Sequence, residues 1–461
     1  MLAEVIEMWK SRQIDATEGA ILPLVIRYTI PLILGALIQV LFNAVDIVVL
    51  GNMADSTSVA SVGATSTIIF LVVNTFIGLA GGAKIILARQ IGTRDAAKVE
   101  CTVHTSLITA LGLGVLVMIV GYALTRWFLQ VTNCPSECFE GAALYMHIYM
   151  LAAPAVLVYN LGAAILNADG DTQRPMYYIV AAGLLNVVMN VVLCLILPQK
   201  VAAVAIATLA AQYLGAFLVL RRLCVKDGIT RLVFSRMRWH AESFLQIMRF
   251  GLPLALNNAL FPIANLQIQT AVNAFGVSAV AGGSAATTIE GISNSFYLSF
   301  GTTASTFIGQ NLGAKQHDRV KRSLWTTLLI GCSVGLVMGV GFYLTGRFWL
   351  GFILTDDLVA IEYAIIKMRF ITLFAVVSAA NHILMQVVQA FGYPMLASLN
   401  SIVFVFGFRM IWMLFIYRRH QESFSWLMAC FTVSWFLMLF CYSIMILVIY
   451  RRYLNGKYKK I

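Results

Sequence analysis

Asp46 is the residue whose setting asks most insistently for a chemical explanation. It lies in PLILGALIQVLFNAVDIVVLG, Pro31–Gly51, an apolar run long enough to cross a bilayer. Gln39 and Asn43 share that run, and spacings of four and three put all three residues on one helix face. A carboxylate at membrane depth is costly unless it is paired or does work. A buried carboxylate can load and release a proton near neutral pH, because desolvation disfavours its charged form, or it can coordinate sodium. The polar stripe is suited to line an aqueous cavity.

Other ionisable and amide groups inside apolar runs are few. Glu290, in TTIEGISNSF, sits too deep in its run to cap a helix end, and its chemistry fits binding a cationic substrate or relaying protons. Asn186 and Asn190, in GLLNVVMNVV, are four apart and share a face. With Asn160 and Thr208 they are expected to surround Asp46, offering neutral oxygens to a cation or hydrogen bonds to a substrate. Lys84 comes five residues before Arg89 and is expected to snorkel to the cytoplasmic interface. Arg409 is open between the outer interface and a cavity.

Several chemistries are disfavoured. AGGAK at Ala80–Lys84 lacks the full GxxxxGK[ST] spacing of a phosphate loop and lies in an apolar run. There is no HExxH, and His147 and His382 have no partner at metal spacing. No cofactor and no enzymatic activity are expected. Cys134 and Cys138, in NCPSEC, fit a short disulfide, a metal pair or two free thiols.

The elements that must position these residues are membrane spans. Of 461 residues 60% are hydrophobic and 11% charged, with a mean hydropathy of +0.85, whereas soluble domains carry about 25% charged residues. Apolar runs of spanning length number twelve, at about 26–50, 58–84, 101–125, 141–166, 175–197, 201–221, 248–274, 279–308, 322–346, 363–389, 395–417 and 426–450. The net charge of +12 would suggest nucleic acid in a soluble chain. Here the Lys and Arg residues fall in alternate loops, including Arg89, Arg94, Lys98, Arg174, the stretch from Arg221 to Arg249, and Lys315 to Arg322. That bias places both termini in the cytoplasm and marks the charge as a topology signal; Lys367 and Arg369 count with the opposite side if they sit at the interface. The N-terminal twenty residues carry four acids before any apolar run, which does not fit a cleavable signal peptide.

The chain repeats. Pro31 and Asn43 precede Pro253 and Asn265 by 222 residues; Val59, Gly92 and Asn160 precede Val280, Gly313 and Asn381 by 221. The expected architecture is all-α and polytopic: two six-helix lobes, 1–222 and 246–461, joined by a basic cytoplasmic linker at 223–245. Because six is even, the lobes share an orientation and the pseudo-twofold axis runs along the membrane normal. The acids break the repeat, since Asp46 pairs with Ile268 and Glu290 with Ile69.

Four stretches carry a family resemblance: Pro31–Gly51, LNADGDTQRPM at Leu166–Met176, FGLPLALNNALF at Phe250–Phe261, and FIGQNLGAKQHDRVKR at Phe307–Arg322. Over nearly the whole length the chain resembles the multidrug and toxic compound extrusion (MATE) family, and within it the DinF-like prokaryotic branch, which has an aspartate at the position of Asp46. The resemblance implies an inner-membrane antiporter in which protons or sodium enter as small cationic amphipathic compounds leave. It implies that the lobes rock between inward- and outward-facing states, that Asp46 is the coupling carboxylate, and that Asn186 and Thr208 are site residues. Two departures stand out. Asn190 occupies a position where many DinF-like members have a second aspartate, and the acids that sodium-coupled members carry in helices 7 and 10 are missing. These favour proton coupling through Asp46, with sodium coupling as the alternative. The expected partners are the lipid bilayer and small organic cations, with no nucleic acid, and the expected state is a monomer. A lipid-linked saccharide flippase is a second alternative, which calls for a more basic central cavity than Lys84 and Arg409 provide.

Overall fold

The computed structural model describes residues 13–53, 55–354 and 357–454; within the helices, the side chains at 43–48, 50, 52, 56, 262, 352, 353 and 454 lie outside the description. Every regular element among the described residues is helical. The elements are α1 (Ile21–Met53), α2 (Ser56–Gly92), α3 (Ala96–Val131), α4 (Ser136–Met150), α5 (Ala153–Ala168), α6 (Gln173–Ile196), α7 (Lys200–Val225), α8 (Ala241–Asn273), α9 (Val277–Gly313), α10 (His317–Leu344), α11 (Gly346–Ile353), α12 (Leu358–Ile371), α13 (Ala375–Ala390), α14 (Pro394–Arg419) and α15 (Phe424–Leu454).

Nine of these helices are long and apolar enough to cross a bilayer, and two bent pairs, α4 with α5 at 47° and α12 with α13 at 50°, each add a span among the described residues. The α4–α5 break has a local cause, because Pro154 in the first turn of α5 offers no amide and crowds the turn before it. The twelfth span expected from sequence is α9, which is 37 residues long but lacks a continuous stretch as apolar as those of the nine. Burial in protein accounts for that composition. More than half of α9 is buried, and its hydroxyls bond back to its own carbonyls, as from Ser299 Oγ to Ser295 O at 2.7 Å and Thr303 Oγ1 to Ser299 O at 2.9 Å. A helix enclosed by other helices need not be apolar all round.

Contacts divide the chain into two compact units, 13–15 with 30–255, and 16–29 with 256–454. The chain passes between them three times: between Asp15 and Ala16, inside α1 and inside α8. By contact, the basic stretch 223–245 belongs to the first unit. Leu223 and Leu232 enter its core, and Lys226 Nζ, 2% exposed, bonds the Asp169 carboxylate and Thr230 Oγ1.

Within the first unit, the AGGAK stretch is uninterrupted helix and serves packing. A Cβ on Gly82 would lie 2.3 Å from the backbone nitrogen of Gly251, and one on Gly78 would lie 2.5 Å from Ala255. Small residues here let the backbones of α2 and α8 touch, as membrane helices commonly do. Within the second unit, the GQNLGA stretch anchors the segment ahead of α1. Gln310 Oε1 accepts from Ala16 N at 3.0 Å, Asn311 Nδ2 donates to Ala16 O at 3.0 Å, and Arg319 Nη1 donates to Gly19 O at 2.8 Å.

The two units repeat each other in detail. α1 and α8 are both 33 residues long and α2 and α9 both 37. Left-handed residues recur at the same register: Arg94 (φ 57°) and Lys315 (φ 58°) just past α2 and α9, and Gly170 (φ 87°) and Gly392 (φ 92°) just past α5 and α13.

Candidate functional site

The first unit gathers amides and a hydroxyl on α6 and α7. Asn186 and Asn190 are buried, and Asn190 Nδ2 donates to Asn186 Oδ1 at 3.2 Å. Asn186 Nδ2 in turn approaches Thr208 Oγ1 at 3.4 Å, while the Thr208 hydroxyl donates to Val204 O at 3.0 Å. The i, i+4 spacing on α6 makes this chain of bonds possible.

α1 lies alongside. A Cβ on Gly35 would sit 3.7 Å from Met176, and a Cβ on Gly183 would sit 2.0 Å from the Phe42 ring. Both contacts pair a residue of α1 with the residue 141 further on, so the two helices run parallel and in register. Continuing that register, position 46 on α1 is level with Val187, between Asn186 and Asn190. The side chains of Asn43 and Asp46 themselves lie outside the described residues. Gln39 is exposed. Asn160 is half-buried and turns back on its own helix, with Nδ2 donating to Val156 O at 2.8 Å. The structure thus brings together Asn186, Asn190 and Thr208, but does not join Asn160 or Gln39 to them by a hydrogen bond among the described residues.

In the second unit Glu290 is half-buried on α9 and lies within the field of two cations, Lys367 of α12 and Arg409 of α14. Lys367 is 8% exposed and donates to Gly283 O at 2.9 Å and to Thr287 Oγ1. Arg409 is 2% exposed; Nε donates to Ser434 Oγ at 3.1 Å, Nη1 to Asn265 Oδ1 at 3.3 Å, and the guanidinium carbon stands 4.3 Å from the Phe431 ring centroid. Arg409 is therefore internal, and so is Lys367, which the sequence leaves open to an interfacial place. Arg369, two residues on, is exposed. The Lys-X-Arg pattern mimics an interfacial pair, and only the neighbouring helices reveal that one member points inward. Lys84 is also buried, at 7% exposure. Cys134 and Cys138 are free thiols, Cys138 being buried.

Comparison with known proteins places this geometry. The MatE family model matches twice, over residues 31–192 and 253–413. A probable multidrug resistance protein of Bacillus subtilis, YpnP, is 25% identical over 383 residues, covering 82% of this chain and 84% of that protein. A second from the same organism, YoeA, is 23% identical over 389 residues, covering 82% and 83%. The solved structure of a MOP superfamily transporter from Pyrococcus furiosus superposes with a TM-score of 0.87 at 20% identity, covering 95% of this chain and 99% of that one, which shows a shared fold. With both repeats matched by one family model, over 31–192 and 253–413, the chain belongs to the MatE family of multi-pass membrane transporters.

Proposed function

We propose that this transporter exports small cationic amphipathic compounds across the plasma membrane by alternating access, driven by proton entry through Asp46. The observation that carries the reading is the parallel register of α1 and α6, which sets position 46 level with the Asn186–Asn190–Thr208 network. Neutral amides and a hydroxyl beside a carboxylate can hydrogen-bond either its protonated or its ionised form without fixing one of them. Exchange then requires that proton and substrate favour different states, since a ligand bound equally by both states shifts nothing. Ionised Asp46 accepts the cationic substrate; protonation releases it outward. The names of the two Bacillus relatives, probable multidrug resistance proteins, support a role in drug export. Both termini lie in the cytoplasm, as the Lys and Arg bias of alternate loops indicates.

The test uses inverted vesicles holding a pH-sensitive dye, given organic cations with and without sodium. Substrate-triggered alkalinisation of the lumen in sodium-free buffer is expected. Exchange that runs only when sodium is supplied would overturn proton coupling.

A further inference from the structure

The second unit holds three buried or half-buried charges on three helices, two positive and one negative, inside a membrane-embedded bundle. Glu290, Lys367 and Arg409 would leave a net charge of +1 there if all are ionised, and uncompensated charge at membrane depth is costly. The repeat does not demand them: at the 221-residue offset, Glu290 and Lys367 correspond to Ile69 and Met146 in the first unit. Nor do they neutralise one another by contact. Among the described residues Glu290 makes no ion pair and no hydrogen bond, although both cations act on it electrostatically. Lys367 spends its hydrogen bonds on the neutral Gly283 carbonyl and the Thr287 hydroxyl, and Arg409 on the Asn265 and Ser434 side chains. Among the described residues the hydrogen bonds of Arg409 run from Nε and Nη1.

Two further observations point to a built site. Arg409 sits between two π-helical stretches of α14, Val403–Phe408 and Trp412–Ile416, and such widened turns are rare and concentrate at functional sites. Thr287, which receives Lys367, is three residues before Glu290 on α9, so cation and carboxylate share one face. Both cations act electrostatically on the Glu290 carboxylate, and a guanidinium fork and an ammonium suit the oxygens of a carboxylate or phosphate. They repel a second cation.

We propose that the second unit binds an oxyanion, the carboxylate or phosphate group of a ligand, between Arg409 and Lys367, and that protonation of Glu290 opens the site to it. With Glu290 ionised, its own carboxylate partly satisfies the two cations. With Glu290 protonated, the pair lacks an anion and takes one from the ligand, so one proton and one negative charge enter together. The charged and titratable groups around Glu290 are Lys367, Arg409 and, along α9 itself, Tyr297. Cys430 of α15 stands beside Arg409, His382 of α13 stands beside Tyr297, and α8 contributes the neutral Asn265.

The experiment is calorimetric titration of the full chain in nanodiscs of zwitterionic lipid, with benzoate and with inorganic phosphate as probes. At least one probe should bind about tenfold more tightly at pH 5.5 than at pH 8, following the protonated fraction of one carboxyl group. Glu290→Gln, nearly isosteric, should bind equally at both pH values and as tightly as wild type at pH 5.5. Arg409→Met should abolish binding, and Lys367→Met, the milder change, should weaken it about tenfold. Binding that survives both cation substitutions, or a Glu290→Gln protein that is as weak as wild type at pH 8, would overturn the proposal. Asp46→Asn should leave the anion titration unchanged, so this site and the coupling role of Asp46 stand or fall separately.

Discussion

Phe42 of α1 rests on Gly183 of α6 so closely that a side chain at 183 would meet its ring at 2.0 Å, and seven residues earlier Gly35 rests on Met176 in the same register. This pairing sets the height of position 46 against the amides of α6. Gly183→Val should therefore act on transport without touching a polar group. Overpacking of this kind costs about 1–3 kcal/mol, and substrate-driven proton flux should fall several-fold. Phe42→Ala in the same chain should restore much of both. Thermal unfolding in detergent and vesicle flux, measured side by side, check it; a Gly183→Val protein with wild-type flux would show that the register is not used.

Asn186 holds the middle of the first-unit network, accepting from Asn190 and donating toward Thr208. Asn186→Leu leaves buried polar groups short of a partner, at about 1–3 kcal/mol, and should depress flux more than Thr208→Val, which removes one end of the chain. Equal flux in the two variants would contradict the order.

Lys226, Asp169 and Thr230 join the stretch after α7 to the end of α5, and both charges are almost fully buried. Lys226→Met orphans the carboxylate and should destabilise the protein by about 3–5 kcal/mol, while adding Asp169→Leu should recover most of that loss. Burial pushes the Asp169 carboxyl up, with Lys226 and Thr230 opposing the shift. In Lys226→Met the lysine's opposition is gone and only the Thr230 hydrogen bond remains, so the folded-state pKa stands above the unfolded one. The variant's deficit should accordingly be smallest below the unfolded carboxylate range and grow as pH rises through the raised folded value. Unfolding midpoints from pH 4 to 8 check the sign.

Gly82 and Gly291 are both mid-helix, yet their surroundings differ. A Cβ on Gly82 would strike the backbone of α8, whereas one on Gly291 meets open space within 4 Å. Gly82→Ala should lower stability by several kcal/mol or prevent folding, because backbone cannot yield as a side chain does. Gly291→Ala should be neutral or stabilise by up to about 1 kcal/mol, through helix propensity. Detergent unfolding curves for the two substitutions distinguish these outcomes.

Much of the fold was legible because lipid imposes a simple rule: backbone must be helical and exposed faces apolar. The 221-residue offset likewise reads directly from Gly92 and Gly313, and the left-handed residues Arg94 and Lys315 repeat it in backbone conformation. What did not read through was the inward or outward aim of single side chains. Lys367 and Arg369 look alike in sequence, and only the Gly283 carbonyl and Thr287 of α9 draw Lys367 inside. Asn160 likewise has the composition of a site residue but spends its amide on Val156 O of its own helix. The Asn186–Asn190 pair was legible because one helix contains both, and i, i+4 spacing decides their meeting without help from tertiary structure.

The most direct measurement of the central claim is substrate-triggered lumen alkalinisation in inverted vesicles carrying equal amounts of folded wild-type and Asp46→Asn protein in sodium-free buffer. Proton entry through Asp46 predicts a signal in the wild type and none in the variant, whose amide mimics the protonated carboxyl and should also bind the organic cation more weakly. Undiminished alkalinisation in Asp46→Asn would contradict the account.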